Sequence, residues 1–175
     1  MKKIVVLGSL NMDFVIRVKE MPQIGETVLG EGVRLVPGGK GANQAYAAGK
    51  LGGAVTMLGA VGEDVYGEQL CQNLRSVRVD TKGVRKLENI PTGQAFVSVY
   101  DSGDNSIIVI PGANGELNRE MIEQEMACID ECDYIVMQME IPLDVIRFVK
   151  ETAIRKGKKV VLDPAPAVAG LEDEF

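Results

Sequence analysis

Gly38-Gly39-Lys40-Gly41-Ala42-Asn43-Gln44-Ala45 is a glycine-dense turn that runs straight into an alanine-rich helix, and it stands downstream of a first apolar run, residues 4–7, and of Asn11 and Asp13. Glycine has no Cβ and tolerates positive φ, so such a turn lets a ligand approach main-chain N–H groups, which collect unpaired at a helix N-terminus. Lys40, Asn43 and Asp13 add side chains suited to hydroxyl groups. By itself the octapeptide also fits a helix start that uses glycine for close packing.

Working outward, short β-branched runs at 4–7, 55–61, 134–139 and 160–162 have the character of strands buried on both faces. Helical patterns alternate with them at 40–51, 64–75, 119–128 and 143–156, the last with Pro142 at its first turn and Gly157 just past its end. The alternation predicts an α/β fold, a mostly parallel sheet with flanking helices and right-handed crossovers. Two insertions, about 12–36 and 92–110, leave that rhythm. Their strand-like pieces at 12–18, 27–29, 32–36, 95–100 and 106–110 predict a small, mostly antiparallel sheet that serves as a lid or a dimerisation surface, or simply decorates the sheet edge.

With 175 residues, 46% hydrophobic and 25% charged, the chain has material for one core and a small appendage. No apolar run approaches the roughly 20 residues of a membrane span, which predicts a protein of the cytoplasm with no membrane partner. A net charge of −6 leaves no basic stripe to displace counterions, so nucleic acid is disfavoured and a small molecule favoured. The absence of histidine excludes Ser-His-Asp chemistry and His-ligated zinc. Three cysteines without a CxxC spacing read as ordinary reduced residues.

Ligands of open α/β sheets bind beyond the carboxyl ends of the strands. Asn11, Asp13, Glu63, Asp64, Glu140 and Asp163 all follow apolar runs, so they are expected along one rim. A rim of carboxylates accepts from hydroxyls and suits a polyhydroxylated ligand. Asp64 also reads as a helix cap and Asp163, before Pro164, as a turn. The nucleotide alternatives fail: Gly8-Ser9-Leu10-Asn11-Met12-Asp13 is not G-x-G-x-x-G, and Lys40 is followed by Gly41 where a Walker loop needs Ser or Thr.

The octapeptide, with Gly52 and Gly62 downstream, resembles the first signature of the PfkB carbohydrate-kinase family. Gly8-Ser9-Leu10-Asn11-Met12-Asp13, Gly25-Glu26-Thr27-Val28, Gln138-Met139-Glu140 and Asp163-Pro164-Ala165-Pro166-Ala167 are similar to its ribokinase branch. The resemblance runs essentially the whole chain. It implies a ribokinase-like α/β domain with a β-sheet lid that pairs two subunits, and ATP-dependent phosphorylation of the primary hydroxyl of a pentose such as ribose. It implies Asn11 and Asp13 as holders of sugar hydroxyls, the 39–43 loop (Gly39, Lys40, Gly41, Ala42, Asn43) as the floor of the sugar site, and Glu140 as a further contact. ATP and Mg²⁺, with a monovalent cation in some members, are the cofactors it implies for the full-length enzyme. The family's second signature, a Gly-Ala-Gly-Asp segment with the anion hole and the catalytic aspartate, does not occur here. No catalytic base is therefore expected in this chain, which resembles the amino-terminal part of such an enzyme, inactive alone and weak in nucleotide binding. A non-catalytic sugar-binding or dimerising module, or a kinase of deoxyribose or fructose, is the alternative.

Overall fold

Val5, Val6 and Leu7 are almost wholly buried because their strand, β1 (Lys3–Leu7), runs through the middle of a five-stranded sheet. The computed structural model describes residues 2–167. In that sheet β1 pairs in parallel with β4 (Ala54–Gly62) on one side and β8 (Tyr134–Met137) on the other. Parallel pairing continues outward to β5 (Val84–Leu87) and β9 (Lys159–Leu162), giving the order β5-β4-β1-β8-β9.

Alternate residues of β1 feed two cores, as the pleat requires. Val5 and Leu7 join Leu58, Ile135, Met137 and the helix α5 (Leu143–Arg155) on one face, while Val6 joins Met57, Ala45 and Leu70 on the other. That second layer is built from α1 (Lys40–Lys50) and α2 (Val65–Ser76). Among the described residues no helix is long and apolar enough to cross a membrane.

The two insertions form a separate four-stranded sheet in the order β3-β2-β6-β7, from β2 (Asn11–Arg17), β3 (Val33–Gly38), β6 (Gly93–Val99) and β7 (Asn105–Ile110). Two of its pairings are antiparallel and the central one, β2 with β6, is parallel.

Two expectations change, and two features are new. Residues 27–29 form no strand: the segment is an irregular loop in which Leu29 is exposed. The helix expected at 119–128 divides into α3 (Arg119–Glu123) and α4 (Met126–Glu131), and the break coincides with Glu125, whose carboxylate accepts from Arg85 at 2.7 Å. Strand β5 went unforeseen because an edge strand with Arg85 and Lys86 carries no apolar run. Finally, the lid face of Phe14 and Ile16 is covered partly from within: Phe14 stacks on Phe96 at 5.0 Å and meets Tyr66 of α2 edge-on at 5.7 Å.

Candidate functional site

The chain leaves β1 at Leu7, passes Gly8-Ser9-Leu10, enters the lid at Asn11, and returns through Gly38 and Gly39 to begin α1. The ends of β1 and β8, together with the start of α1, therefore face one another at the carboxyl edge of the sheet, next to the base of the lid. Two glycines permit this closeness. Gly39, with φ of 91°, would bring a Cβ to 2.7 Å from the Ser9 carbonyl, and a Cβ on Gly41 would meet Gly8 backbone at 2.6 Å. The close-packing reading of the octapeptide holds here, and the turn lies at the rim.

The first-turn N–H groups of α1 have protein partners. Lys40 N–H donates to Glu140 Oε2 at 3.1 Å, Gly41 N–H reaches Ser9 Oγ at 3.4 Å, and Ala42 N–H donates to the Ser9 carbonyl at 2.9 Å. Ala42 is buried beside Ala45 in the core and shapes the site from behind. Those donors, expected to face a ligand, instead hold Glu140 and Ser9.

Glu140 is the hub of the cluster. Its Oε2 accepts from Ser9 Oγ at 2.5 Å, and Oε1 lies 3.6 Å from Lys40 Nζ. Asp13 projects from β2 over Gly38, where a Cβ would stand 2.2 Å from its carboxylate oxygen. Burial, and secondarily the Glu140 charge, push the Asp13 carboxyl up to about 6, against the pull of Lys40. A carboxyl that titrates near neutrality beside a second carboxylate and a lysine is the kind of perturbation that collects at functional sites.

Asn11 is buried at the lid base, and Asn43 stands exposed on the first turn of α1 without a side-chain hydrogen bond among the described residues. Asn11 and Glu140 line a cleft of about 430 Å³ whose other walls are largely apolar, among them Val109, Met139, Ile141 and Leu143. Asn114 is a third polar residue of that lining, whereas Asp13, Lys40 and Asn43 lie outside it; a few polar groups among apolar walls are the arrangement common to small-molecule sites.

The remaining rim carboxylates do other work. Asp64 caps α2, accepting from Gly67 N–H at 2.8 Å and from the N–H and hydroxyl of Thr92 at 2.8 and 2.7 Å. Asp163 accepts from Gln44 at 3.0 Å, and Gln44 in turn accepts from the buried Gln138. Glu63 is exposed, apart from the cluster. Ser9, Gln44, Asn114 and Gln138 were not singled out from sequence. The only signal for Ser9, Gln44 and Gln138 is their place inside the quoted motifs, and no local pattern marks Asn114.

Known proteins resemble this chain in both sequence and fold. The profile of the pfkB family carbohydrate kinases matches residues 1–173. Ribokinase of Schizosaccharomyces pombe is 40% identical over 174 residues, covering 96% of this chain and 55% of that protein. A ribokinase structure from Giardia lamblia superposes with a TM-score of 0.87 at 34% identity, over 97% of this chain and 52% of that one. Arabidopsis thaliana ribokinase complexed with ribose and ATP superposes with a TM-score of 0.82 at 32% identity, over 97% and 54% respectively. The chain spans about half the length of the relatives it matches. On its profile, its sequence and its fold alike, the chain belongs to the pfkB family of carbohydrate kinases.

Proposed function

We propose that this chain is the sugar-acceptor portion of a ribokinase-like kinase, and that it holds a pentose, D-ribose, above the floor made by residues 39–43. Asn11, Asp13, Lys40, Asn43 and Glu140 are the hydroxyl partners in this reading. The observation that carries it is the convergence of Asp13, Lys40 and Glu140 beside a cleft, with the Asp13 carboxyl raised to about 6. A hydroxyl both donates and accepts, so a site of carboxylates with an ammonium and amides satisfies several of them at once. The Arabidopsis relative solved with ribose and ATP supports the substrate class.

Phosphoryl transfer to the primary hydroxyl requires a base and preorganised donors for the developing charge. No Gly-Ala-Gly-Asp segment occurs in these 175 residues. Among the described residues no group of three His, Cys, Asp or Glu side chains could hold a metal ion. The reading confines this polypeptide to acceptor binding, without ADP release of its own.

Isothermal calorimetry with ribose tests it. Wild type should bind, and Asp13→Ala and Asn43→Ala should each weaken binding by about 1 to 3 kcal/mol, the value of a hydrogen bond to a group left unpaired. Absence of binding by the wild type, or unchanged affinity in both variants, refutes the reading.

The same reading includes a homodimer formed through the lid. Its support is the apolar face that also carries Asp13, where Val15, Val36, Val97, Ile107 and Val109 share register across the four strands and Val36, Ile107 and Val109 are 40 to 54% exposed. A two-fold pairing of two such faces covers both with one interface. A cytoplasmic setting accords with three free cysteines.

A further inference from the structure

We infer that Asn114, which belongs to none of the site motifs, is a positioning residue that turns the amide NH₂ of Asn11 toward the cleft. The inference rests on the sugar-binding reading of that cleft. Leu10 N–H donates to Asn114 Oδ1 at 2.9 Å. A main-chain N–H only donates, so the atom facing it is the oxygen and the other end of the Asn114 amide is the NH₂. That NH₂ meets the Leu10 carbonyl at 3.1 Å, the Pro111 carbonyl at 3.1 Å and the Asn11 side chain at 2.8 Å. Two carbonyls confirm it as the donor, and the Asn11 atom in front of it is then the oxygen.

With Oδ1 turned to Asn114, the Asn11 NH₂ is the end left for the cleft that Asn11 lines beside Glu140. Among the described residues no group accepts a hydrogen bond from it. The polarity of one main-chain N–H is relayed through two amides to the cleft, where it presents a donor next to the Glu140 acceptor. Asn114 is 1% exposed and Asn11 2%, so water does not compete for the contact between the two amides. The pair also needs Gly93: a Cβ there would stand 2.2 Å from Asn114 Nδ2 and 2.3 Å from Asn11 Oδ1. Because Asn114 holds the Pro111 carbonyl at the end of β7, the donor is tied to the base of the lid as well.

The test pairs a variant with a measurement on the wild type. Asn114→Asp keeps the shape and the acceptor for Leu10 N–H, but at neutral pH it presents a carboxylate to Asn11, which should swing its NH₂ inward and leave its oxygen toward the cleft. Ribose affinity at pH 7.5 should fall about tenfold, roughly one hydrogen bond's worth. The double variant Asn11→Ala with Asn114→Asp should be no weaker than Asn11→Ala alone, whereas additive losses would mean that Asn114 acts without Asn11. Side-chain amide exchange by NMR needs no variant except Asn11→Ala for assignment. In the ligand-free wild type the Asn114 NH₂ should be protected and the Asn11 NH₂ should exchange; a protected Asn11 NH₂ overturns the inference. If that exchange pattern appears but ribose does not bind, the orientation stands and the sugar reading fails.

Discussion

Asp13→Asn should stabilise this protein at neutral pH while weakening its hold on a sugar. The Asp13 carboxyl ionises near 6 in the folded chain because burial and the neighbouring Glu140 disfavour its charge, against about 3.9 in an unfolded chain. Between those values the folded state binds the extra proton, so stability falls as pH rises. The contribution of neutral Asp13 is whole below about pH 4, drains away through pH 6, and above pH 7 the fold carries a half-buried charge. A shift of roughly two units corresponds to about 3 kcal/mol, and partial solvent exposure reduces this to about 1.5 kcal/mol. Asparagine has nearly the same shape and does not titrate. Urea unfolding of both proteins from pH 4 to pH 8, with matching slopes, should give equal midpoints at the acid end and a variant more stable by about 1.5 kcal/mol at pH 7.5. A difference independent of pH, or one that widens toward acid, would show that the Asp13 environment is not what the geometry implies. A gain in stability coupled to a loss of ribose affinity is the signature of a residue retained for binding.

Removal of the α2 cap should be costly for a different reason. Burial pushes the Asp64 carboxyl up, but hydrogen bonds from Thr92 and Gly67 outweigh it and hold the group below its ordinary value. Asp64→Ala deletes these bonds and strands the buried Thr92, so urea unfolding should show a loss of about 2 to 3 kcal/mol at pH 7 that shrinks as pH falls through the low folded value and the carboxylate of the parent protein is protonated. At the lid, sedimentation equilibrium should find a dimer of the wild type and a monomer of Ile107→Asp; a monomeric wild type, or a variant that still pairs, refutes lid pairing through this face.

How far the chain could be read in advance follows from how local each signal is. The parallel sheet was legible because β1 and β4 are buried on both faces, and burial on both faces writes itself as continuous runs such as Ile4-Val5-Val6-Leu7. The sheet of the lid was legible by its alternation, yet which of its faces is covered was not: that depends on Tyr66, which reaches Phe14 from a helix 52 positions further along the chain in a contact no local pattern encodes. The same distinction divides the site. Gly39, Lys40, Gly41 and Asp13 stand in contiguous motifs, so their meeting at one rim could be expected from the strand ends. Ser9 finds Glu140 across 131 positions and Asn114 finds Leu10 across 104, each through a single polar atom. A motif can announce that Asn11 faces a ligand. Whether it arrives as a donor or an acceptor is decided by the backbone N–H of Leu10, through Asn114, and that choice exists only once the lid has folded back onto the sheet.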